Sequence, residues 1–315
     1  VGCFLETARG APQEGVSIRF TELGKIEIRV GTESNGQGHE TTFKQIASTR
    51  LGVPIEVLEY IQADTEQVTI GFGHGGARSM HMGAGTMALA IDSAIEKAGR
   101  VAATLLQTDI EELSFDKGAF LTRKDQRSVS IIEVASAARN SDVMPSLGEN
   151  GIDTFYKREE APFTFPNGCH AAEVEIDPDT GSLTLVNYVM VDDYGSLVNP
   201  ALTEGQLHGG VVQGIGQALE EFVAFDPETG QLLSGSLMDY TAPRAASFPF
   251  FKAHFQGVPT EANLLGVKGV GQAGCIAAPQ VITHAVLNAL QEYNIDHIQM
   301  PITSQSLWRS IQAAS

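Results

Sequence analysis

The 315-residue chain carries 20 Lys and Arg against 38 Asp and Glu, a formal net charge of −18, with a sequence pI near 4.7. That charge would repel nucleic-acid backbones and anionic lipid, which leaves small molecules and protein surfaces as partners. The length suits about two domains at roughly 150 residues each. The three cysteines, Cys3, Cys169 and Cys275, contain no C-x-x-C and cannot all pair, and no stretch is apolar enough to span a bilayer, so a reducing, cytoplasmic setting is expected. The opening "VGCFLETARG" reads as the middle of a folded element in a fragment, a processed chain or a subunit.

From Ser17 to Thr32, apolar and polar residues alternate on both sides of Gly24, the pattern of a hairpin with one buried face. "SNGQGHETTFKQIASTRLGVP" then leads from small polar residues into a helix stopped by Gly52 and Pro54, which puts Gly36 to His39 at a helix N-terminus. A strand is expected in "EVLEYIQADTEQV". After it, "GFGHGGARSM" runs into a long alanine-rich helix from about Gly85 to Leu106, apolar on most of its circumference and therefore buried. Residues from Arg123 to Glu160 are charged and weakly periodic, and read as a peripheral element and linker. Two strands flank the turn Asp177-Pro178-Asp179-Thr180-Gly181, and the same turn chemistry recurs from Asp226 to Gly230. Between the two turns lies a glycine-bearing helix, "EGQLHGGVVQGIGQALEEFVAF". A last helix follows "GVKGVGQAG", with Pro279 in its first turn and Val281, Ile282, Ala285, Val286, Ala289 and Leu290 at helical spacing. Irregular alternation with many hairpins predicts an α+β fold of mixed sheets and packed helices.

Gly269-Val270-Gly271-Gln272-Ala273-Gly274 matches G-x-G-x-x-G, but too little chain follows it to complete a dinucleotide-binding βαβ domain. Read alone, it is a glycine turn packing a core helix. "GQGHETT" at a helix start offers unpaired backbone N–H groups and the positive end of a helix dipole. "GHGGARSM" adds Arg78, a fork-shaped cation, and the Ser79 hydroxyl. Neither contains the Gly-Lys-Ser/Thr of a P-loop. Each loop alone reads as a turn, whereas three at helix starts fit a large ligand of polyphosphate type. The eight histidines show no H-E-x-x-H, no metal site is indicated, and most read as solvated or hydrogen-bonded structural groups.

The successive segments "GTESNGQGHETTFKQI", "ADTEQVTIGFGHGGARS", "HAAEVEIDPDTGSL", "VDDYGSLVNPALTEGQLHGGVVQGIGQALEE", "GSLMDYTAPRA" and "GVKGVGQAG" resemble, in order and over nearly the whole chain, motifs of the molybdenum hydroxylases. That family comprises xanthine dehydrogenases, aldehyde oxidoreductases and aerobic carbon monoxide dehydrogenases. The stretch resembled is the C-terminal half of the molybdopterin-binding subunit, as in the separate medium chain of nicotinate dehydrogenase. The resemblance implies a molybdopterin cytosine dinucleotide carrying molybdenum. It places Gly36, Gln37, Gly38, His39, Gly75, Gly76, Ala77, Arg78, Ser79, Gln213, Lys268, Gly269 and Gly271 against that cofactor. It further implies a partner bearing the N-terminal half, iron–sulfur and in some arrangements flavin subunits, a small-molecule substrate, and no flavin or iron–sulfur centre in this chain. The expected division is residues 1–125 with the glycine loops, a linker at 126–160, and 161–315 with the active-site loop.

In the family, "GVGE" puts a glutamate beside the metal as general base, and here that position is Gln272. An amide has no accessible pKa near neutrality and cannot take that proton. The expected function is therefore a cofactor-binding subunit of a hydroxylase acting on an aldehyde or N-heterocycle, or alternatively a non-catalytic cofactor-binding or assembly subunit that has lost its base.

Overall fold

The structure, a computed structural model, describes residues 1–140 and 151–314. The chain divides into two units. The first comprises Val1–Thr7, Phe165–Val258 and Lys268–Ser315, and the second comprises Ala8–Thr164 and Pro259–Val267. No helix among the described residues is long and apolar enough to cross a membrane.

In the second unit, the hairpin read from alternation is β2 (Glu14–Phe20) paired antiparallel with β3 (Ile26–Val30), with Ile18 opposite Ile28. Val16, Ile18, Phe20, Ile26, Ile28 and Val30 are all buried, which fixes the register because a one-residue slip would turn them outward. β4 (Leu58–Ile61) runs parallel to β3, and β8 (Thr154–Arg158) closes the other edge, giving the order β4-β3-β2-β8. Two helices cover this sheet. α1 (His39–Leu51) ends at Gly52, whose φ of 64° suits a residue without Cβ. α2 (Gly85–Leu106) has the bounds read from the sequence, and its Met87, Ala88, Ile91, Ala94, Ala98 and Val101 are fully buried. It is entered through a π-helical turn, Ser79–Ala84, in which the Gly83 N–H reaches back to the Arg78 carbonyl at 3.4 Å.

The stretch expected to be a linker belongs to this unit instead. Its described residues contain β7 (Ser128–Ser130), α3 (Ile131–Ala138) and β8, and β7 completes a three-stranded sheet with β5 (Leu113–Asp116) and β6 (Ala119–Thr122). Residues 141–150 of that stretch lie outside the described residues. The physical reason is local. Ser130 and Glu133 form a capping box, with the Glu133 N–H donating to Ser130 Oγ at 3.2 Å and the Ser130 N–H donating to Glu133 Oε2 at 2.8 Å. Ile131, Val134, Ala135 and Ala138 then bury one face.

The first unit has one sheet in the order β1-β9-β10-β11, formed by β1 (Gly2–Leu5), β9 (Asn167–Ile176), β10 (Leu183–Asp193) and β11 (Lys252–Phe255). The Asp177–Gly181 turn joins β9 to β10 as read, whereas its second copy joins no named strands and closes only the bridge between Phe225 and Leu232. On the buried side of the sheet, His170 lies 3.0 Å from the Tyr188 hydroxyl and 3.1 Å from an Asp192 carboxylate oxygen, so this histidine is a structural group.

α4 (Pro200–Leu219) starts on Asn199, whose side chain accepts from the Leu202 N–H at 3.1 Å, and packs against α5 (Ala273–Ala289). α6 (Ser304–Ala314) adds Leu307 and Ile311 to the same core. α5 begins six residues before Pro279, so this proline sits inside the helix and not in its first turn. Glycines explain the earlier start. A Cβ on Gly274 would meet the Leu207 carbonyl at 2.5 Å and the Val211 nitrogen at 2.7 Å, so the first turn of α5 lies directly on the α4 backbone. By contrast, Gly205 and Gly209 on the outer face of α4 have nothing within 4 Å of a built Cβ.

This difference sets opposite signs for one substitution. Gly205→Ala should stabilise the protein by up to about 1 kcal/mol through helix propensity. Gly274→Ala should cost about 1–3 kcal/mol, because rigid backbone must move to admit the methyl. Denaturant melts of the two variants check this, and equal stabilisation by both would remove the close approach of the helices.

Candidate functional site

Two of the glycine loops are neighbours in the second unit. Thr32 Oγ1 and Ser79 Oγ lie 2.7 Å apart, His74 Nδ1 is 2.8 Å from Glu33 Oε1, and Asn35 Nδ2 is 3.4 Å from His74 Nε2. The Gly36–His39 turn therefore sits beside the Gly75–Ser79 turn. Gly38 caps α1 with a φ of 79° and contributes no side-chain acceptor, and the His39 N–H that opens the helix has only a long contact to Ser34 Oγ at 3.5 Å. Over Gly36 and Gly75 a built Cβ meets nothing within 4 Å, whereas one on Gly76 (φ 85°) would lie 2.5 Å from the Gly10 Cα. The loop thus presents one glycine to open space and presses the next against a second strand of backbone. Gln37 does not reach outward. Its Nε2 donates to the Glu33 carbonyl at 3.4 Å, and its Oε1 accepts from Ser34 Oγ at 3.3 Å and from the Asn35 N–H.

Arg78 departs most from its sequence reading. It was expected to offer its cation to a phosphate, but the side chain is fully buried and its guanidinium is consumed inside the protein. Nη1 donates to Glu14 Oε2 at 2.8 Å and to the Gly73 carbonyl at 2.7 Å, Nε donates to the Ala11 carbonyl at 3.2 Å, and Nη2 donates to the Gln13 carbonyl. A guanidinium with several donors in a fixed fork suits this better than any other side chain. Burial pushes the Glu14 carboxyl upward, and Arg78 pulls it back part of the way. Arg78 therefore acts on the glycine turn from behind.

Two histidines near these loops are held neutral. His39, the first residue of α1, is buried with Nδ1 unpartnered, and burial together with His74 lowers its pKa to about 4. His81 lies in the π-helical turn, 1% exposed, with neither ring nitrogen in a well-formed hydrogen bond. Burial, then Arg158 and Arg78, lower its pKa to about 4 against a small opposing effect of the Ala77 backbone. The buried Thr86 hydroxyl, also unpartnered, is one turn further along.

The remaining expected residues are in the first unit. Gln213 is exposed on α4, in line with Gly205 and Gly209 at four-residue spacing. Gly271 and Gln272 are exposed at the start of α5, with Gln272 at its N-cap and Gly269 buried just before it. Lys268 is turned inward: Nζ lies 2.5 Å from Asp193 Oδ2, and its N–H donates to the Tyr194 carbonyl at 2.9 Å. Burial raises the Asp193 carboxyl, but the Lys268 hydrogen bond and the N–H groups of Val258 and Gly195 outweigh it and leave the pKa low. One residue passed over in the sequence orders this loop. Gln206 Nε2 donates to the Gly271 carbonyl at 2.8 Å, tying the "GVGQ" turn to α4.

Arg78→Ala should cost about 3–5 kcal/mol, since Glu14 and three carbonyls would be left buried without a donor. Arg78→Lys should recover only part of that, because one ammonium cannot span the four acceptors. Thermal or urea unfolding of both variants is the check, and a neutral Arg78→Ala would show that the guanidinium faces outward. His39 and His81 predict the acid limb. Unfolding returns each to an ordinary pKa of 6.5 from about 4. The unfolded state therefore binds more protons between these values, and stability falls as pH drops through that window, by about 3 kcal/mol for each histidine. Above pH 6.5 these two groups add no pH dependence. His81→Gln should flatten the slope of stability against pH between 6.5 and 4, and an unchanged slope would remove His81 from this role.

Residues 1–249 match the molybdopterin cofactor-binding domain family. The chain is 31% identical to the carbon monoxide dehydrogenase large chain of Hydrogenophaga pseudoflava over 95% of its own length and 37% of that protein. It is 32% identical to the nicotine 6-hydroxylase large subunit of Paenarthrobacter nicotinovorans, over 93% of its own length and 36% of the relative. The crystal structure of quinoline 2-oxidoreductase from Pseudomonas putida 86 superposes with a TM-score of 0.90 at 30% identity, covering 99% of this chain and 41% of that one. The chain thus spans well under half the length of these relatives. It belongs to the molybdopterin cofactor-binding domain family of the molybdenum hydroxylases.

Proposed function

We propose that this chain holds molybdopterin, as its cytosine dinucleotide bearing molybdenum, and supplies part of the active site of a hydroxylase that oxidises an aldehyde or N-heterocycle with water as the oxygen source. The carrying observation is the pair of adjoining turns, Gly36–His39 and Gly75–Ser79, with open space over Gly36 and Gly75. Their chemistry fits an anionic, many-atomed cofactor. Backbone N–H groups and the N-terminus of α1 face it, and the unpartnered buried His39 Nδ1 lies within the same turn. In the first unit, Gln213 on α4 and Gly271 with Gln272 before α5 are the residues that the family resemblance assigns to the cofactor; Lys268 there, and Arg78 in the second unit, each position backbone from behind. Nicotine and quinoline, in the names of two relatives, are N-heterocycles, which supports that substrate class.

When bound, the cofactor supplies the two-electron acceptor and the oxygen delivered to substrate. The chain's own contribution is orientation and hydrogen bonding. Gln206 holds the Gly271 carbonyl and so fixes the backbone that carries Gln272. The Gln272 amide donates a hydrogen bond to a bound oxygen or ring nitrogen, but it does not accept a proton near neutrality. The position that carries the family's base therefore does not remove the proton here, and turnover is slow for want of it. Iron–sulfur and, in some arrangements, flavin groups held outside this chain would carry the electrons onward, in an assembly that works in the cytoplasm.

Metal and nucleotide analysis of the assembled protein tests the reading. Molybdenum stoichiometric with this chain and a cytosine nucleotide released on hydrolysis are expected, and neither would be found on an unrelated binding module. Gln272→Glu, nearly isosteric, should raise kcat on an aldehyde or N-heterocycle by at least tenfold, within the ~10²–10⁴ of general-base catalysis, with a new acidic limb in the pH–rate profile. Slower turnover in Gln272→Glu would make the amide the working group. Loaded protein inactive in both forms would identify a non-catalytic cofactor-holding subunit.

A further inference from the structure

Sequence spacing leaves the three cysteines apart, yet the fold sets two of them side by side. Cys3 on β1 and Cys169 on β9 are direct partners in the antiparallel register of the first unit, and both are exposed. The type of pairing follows from the ladder. The Glu6 N–H donates to the Pro166 carbonyl at 2.9 Å, which makes 6 and 166 a hydrogen-bonded pair in the register that matches Gly2 with His170 and Phe4 with Gly168. Alternation then puts Cys3 and Cys169 at a non-hydrogen-bonded position, where Cα atoms approach to about 4.5 Å, within the span a disulfide bridges. Their neighbours leave no other direction: Phe4 and His170 point to the core, where their rings meet edge to face at 5.5 Å.

We propose that Cys3 and Cys169 form a dithiol modification site on the outer face of this sheet, which small-molecule disulfides close into a cross-strand bridge between β1 and β9. The Cys169 thiol is hydrogen-bonded to Cys3 and its pKa is raised, by that bond first and burial second, so Cys169 keeps its proton longer. Cys3 is then the attacking sulfur and Cys169 the resolving one. The Cys3 thiolate attacks one sulfur of the oxidant, whose S–S bond breaks and releases one thiolate. The Cys169 thiolate attacks the Cys3 sulfur of the mixed disulfide, the new S–S bond forms, and the second thiolate leaves. The two cysteines lose two electrons and two protons, and the oxidant becomes two thiols. The consequence is mechanical. β1 is an edge strand held by one neighbour in its sheet, and it packs on α5, where Gly2 lies against Val281. The bridge fastens that edge to the strand that carries His170.

The test uses the folded full chain treated with oxidised glutathione, followed by thiol counting and peptide mass mapping. The expected result is loss of two of the three thiols, one cross-linked peptide pair containing Cys3 and Cys169, no glutathione retained, full reversal by dithiothreitol, and a melting temperature several degrees higher in the bridged form. Cys3→Ser should instead carry one glutathione on Cys169 with no cross-link, and Cys275→Ser should bridge as the parent does. Glutathione retained on both Cys3 and Cys169, a bridge that includes Cys275, or no reaction of the folded chain would each overturn the proposal.

Discussion

Two opposite charges taken out of water must recover inside the protein every hydrogen bond they gave up, and Arg78 with Glu14 do so only where several chain segments converge. The guanidinium draws in the carbonyls of Ala11, Gln13 and Gly73, and the carboxylate also accepts from the Gly15 N–H at 3.0 Å. Those segments must lie almost touching, and side chains at the crossings would hold them apart. Gly10 against Gly76 and Gly31 against Gly71 answer that requirement. The glycine turns next to the proposed cofactor are thus set by a polar anchor behind them, and the open faces of Gly36 and Gly75 are what remains after that packing.

The first unit reaches a similar end by close helix packing and one side-chain amide. There Gly274 lets the start of α5 rest on α4, and Gln206 spans the remaining gap to the Gly271 carbonyl. In each unit a cation that the family resemblance assigns to the cofactor, Arg78 or Lys268, is neutralised by a carboxylate of its own. The proposed cofactor would therefore meet backbone dipoles and amides there in place of free charge. That suits a ligand bound for long periods at many points, because each weak donor is fixed in direction before the ligand arrives.

Much of this was legible in the sequence. Alternation around Gly24, the alanine-rich run from Gly85 to Leu106 and the Asp177–Gly181 turn each mapped to the element they suggested. The family was legible as well, because its motifs are ordered strings that no single periodicity imitates. What escaped depended on long-range partners. Nothing local tells whether Arg78 faces ligand or core, because the answer lies in Glu14, 64 residues away. Pro279 looked like a first-turn residue because glycines before it mimic a loop, when those glycines serve helix packing. The Ser130–Glu133 capping box lies inside a charged, aperiodic stretch, and the lack of periodicity there hid the helix it starts. Cys3 and Cys169 could be paired only after β1 and β9 had been set in register.

The π-helical turn between the second glycine loop and α2 acts as a phase setter. A helix advances about 100° per residue, and a π turn accommodates one residue more than an α turn over nearly the same rise. Relative to a regular helix continued backward from Gly85, everything before Ser79 is therefore rotated by about one residue's worth. The hydroxyl of Ser79 meets Thr32 and the guanidinium of Arg78 meets Glu14 on that shifted phase. Length in this short segment is accordingly more tightly held than composition. A side chain can change there and leave the angle intact, but losing one residue would restore a regular helix while turning both contacts away from their partners.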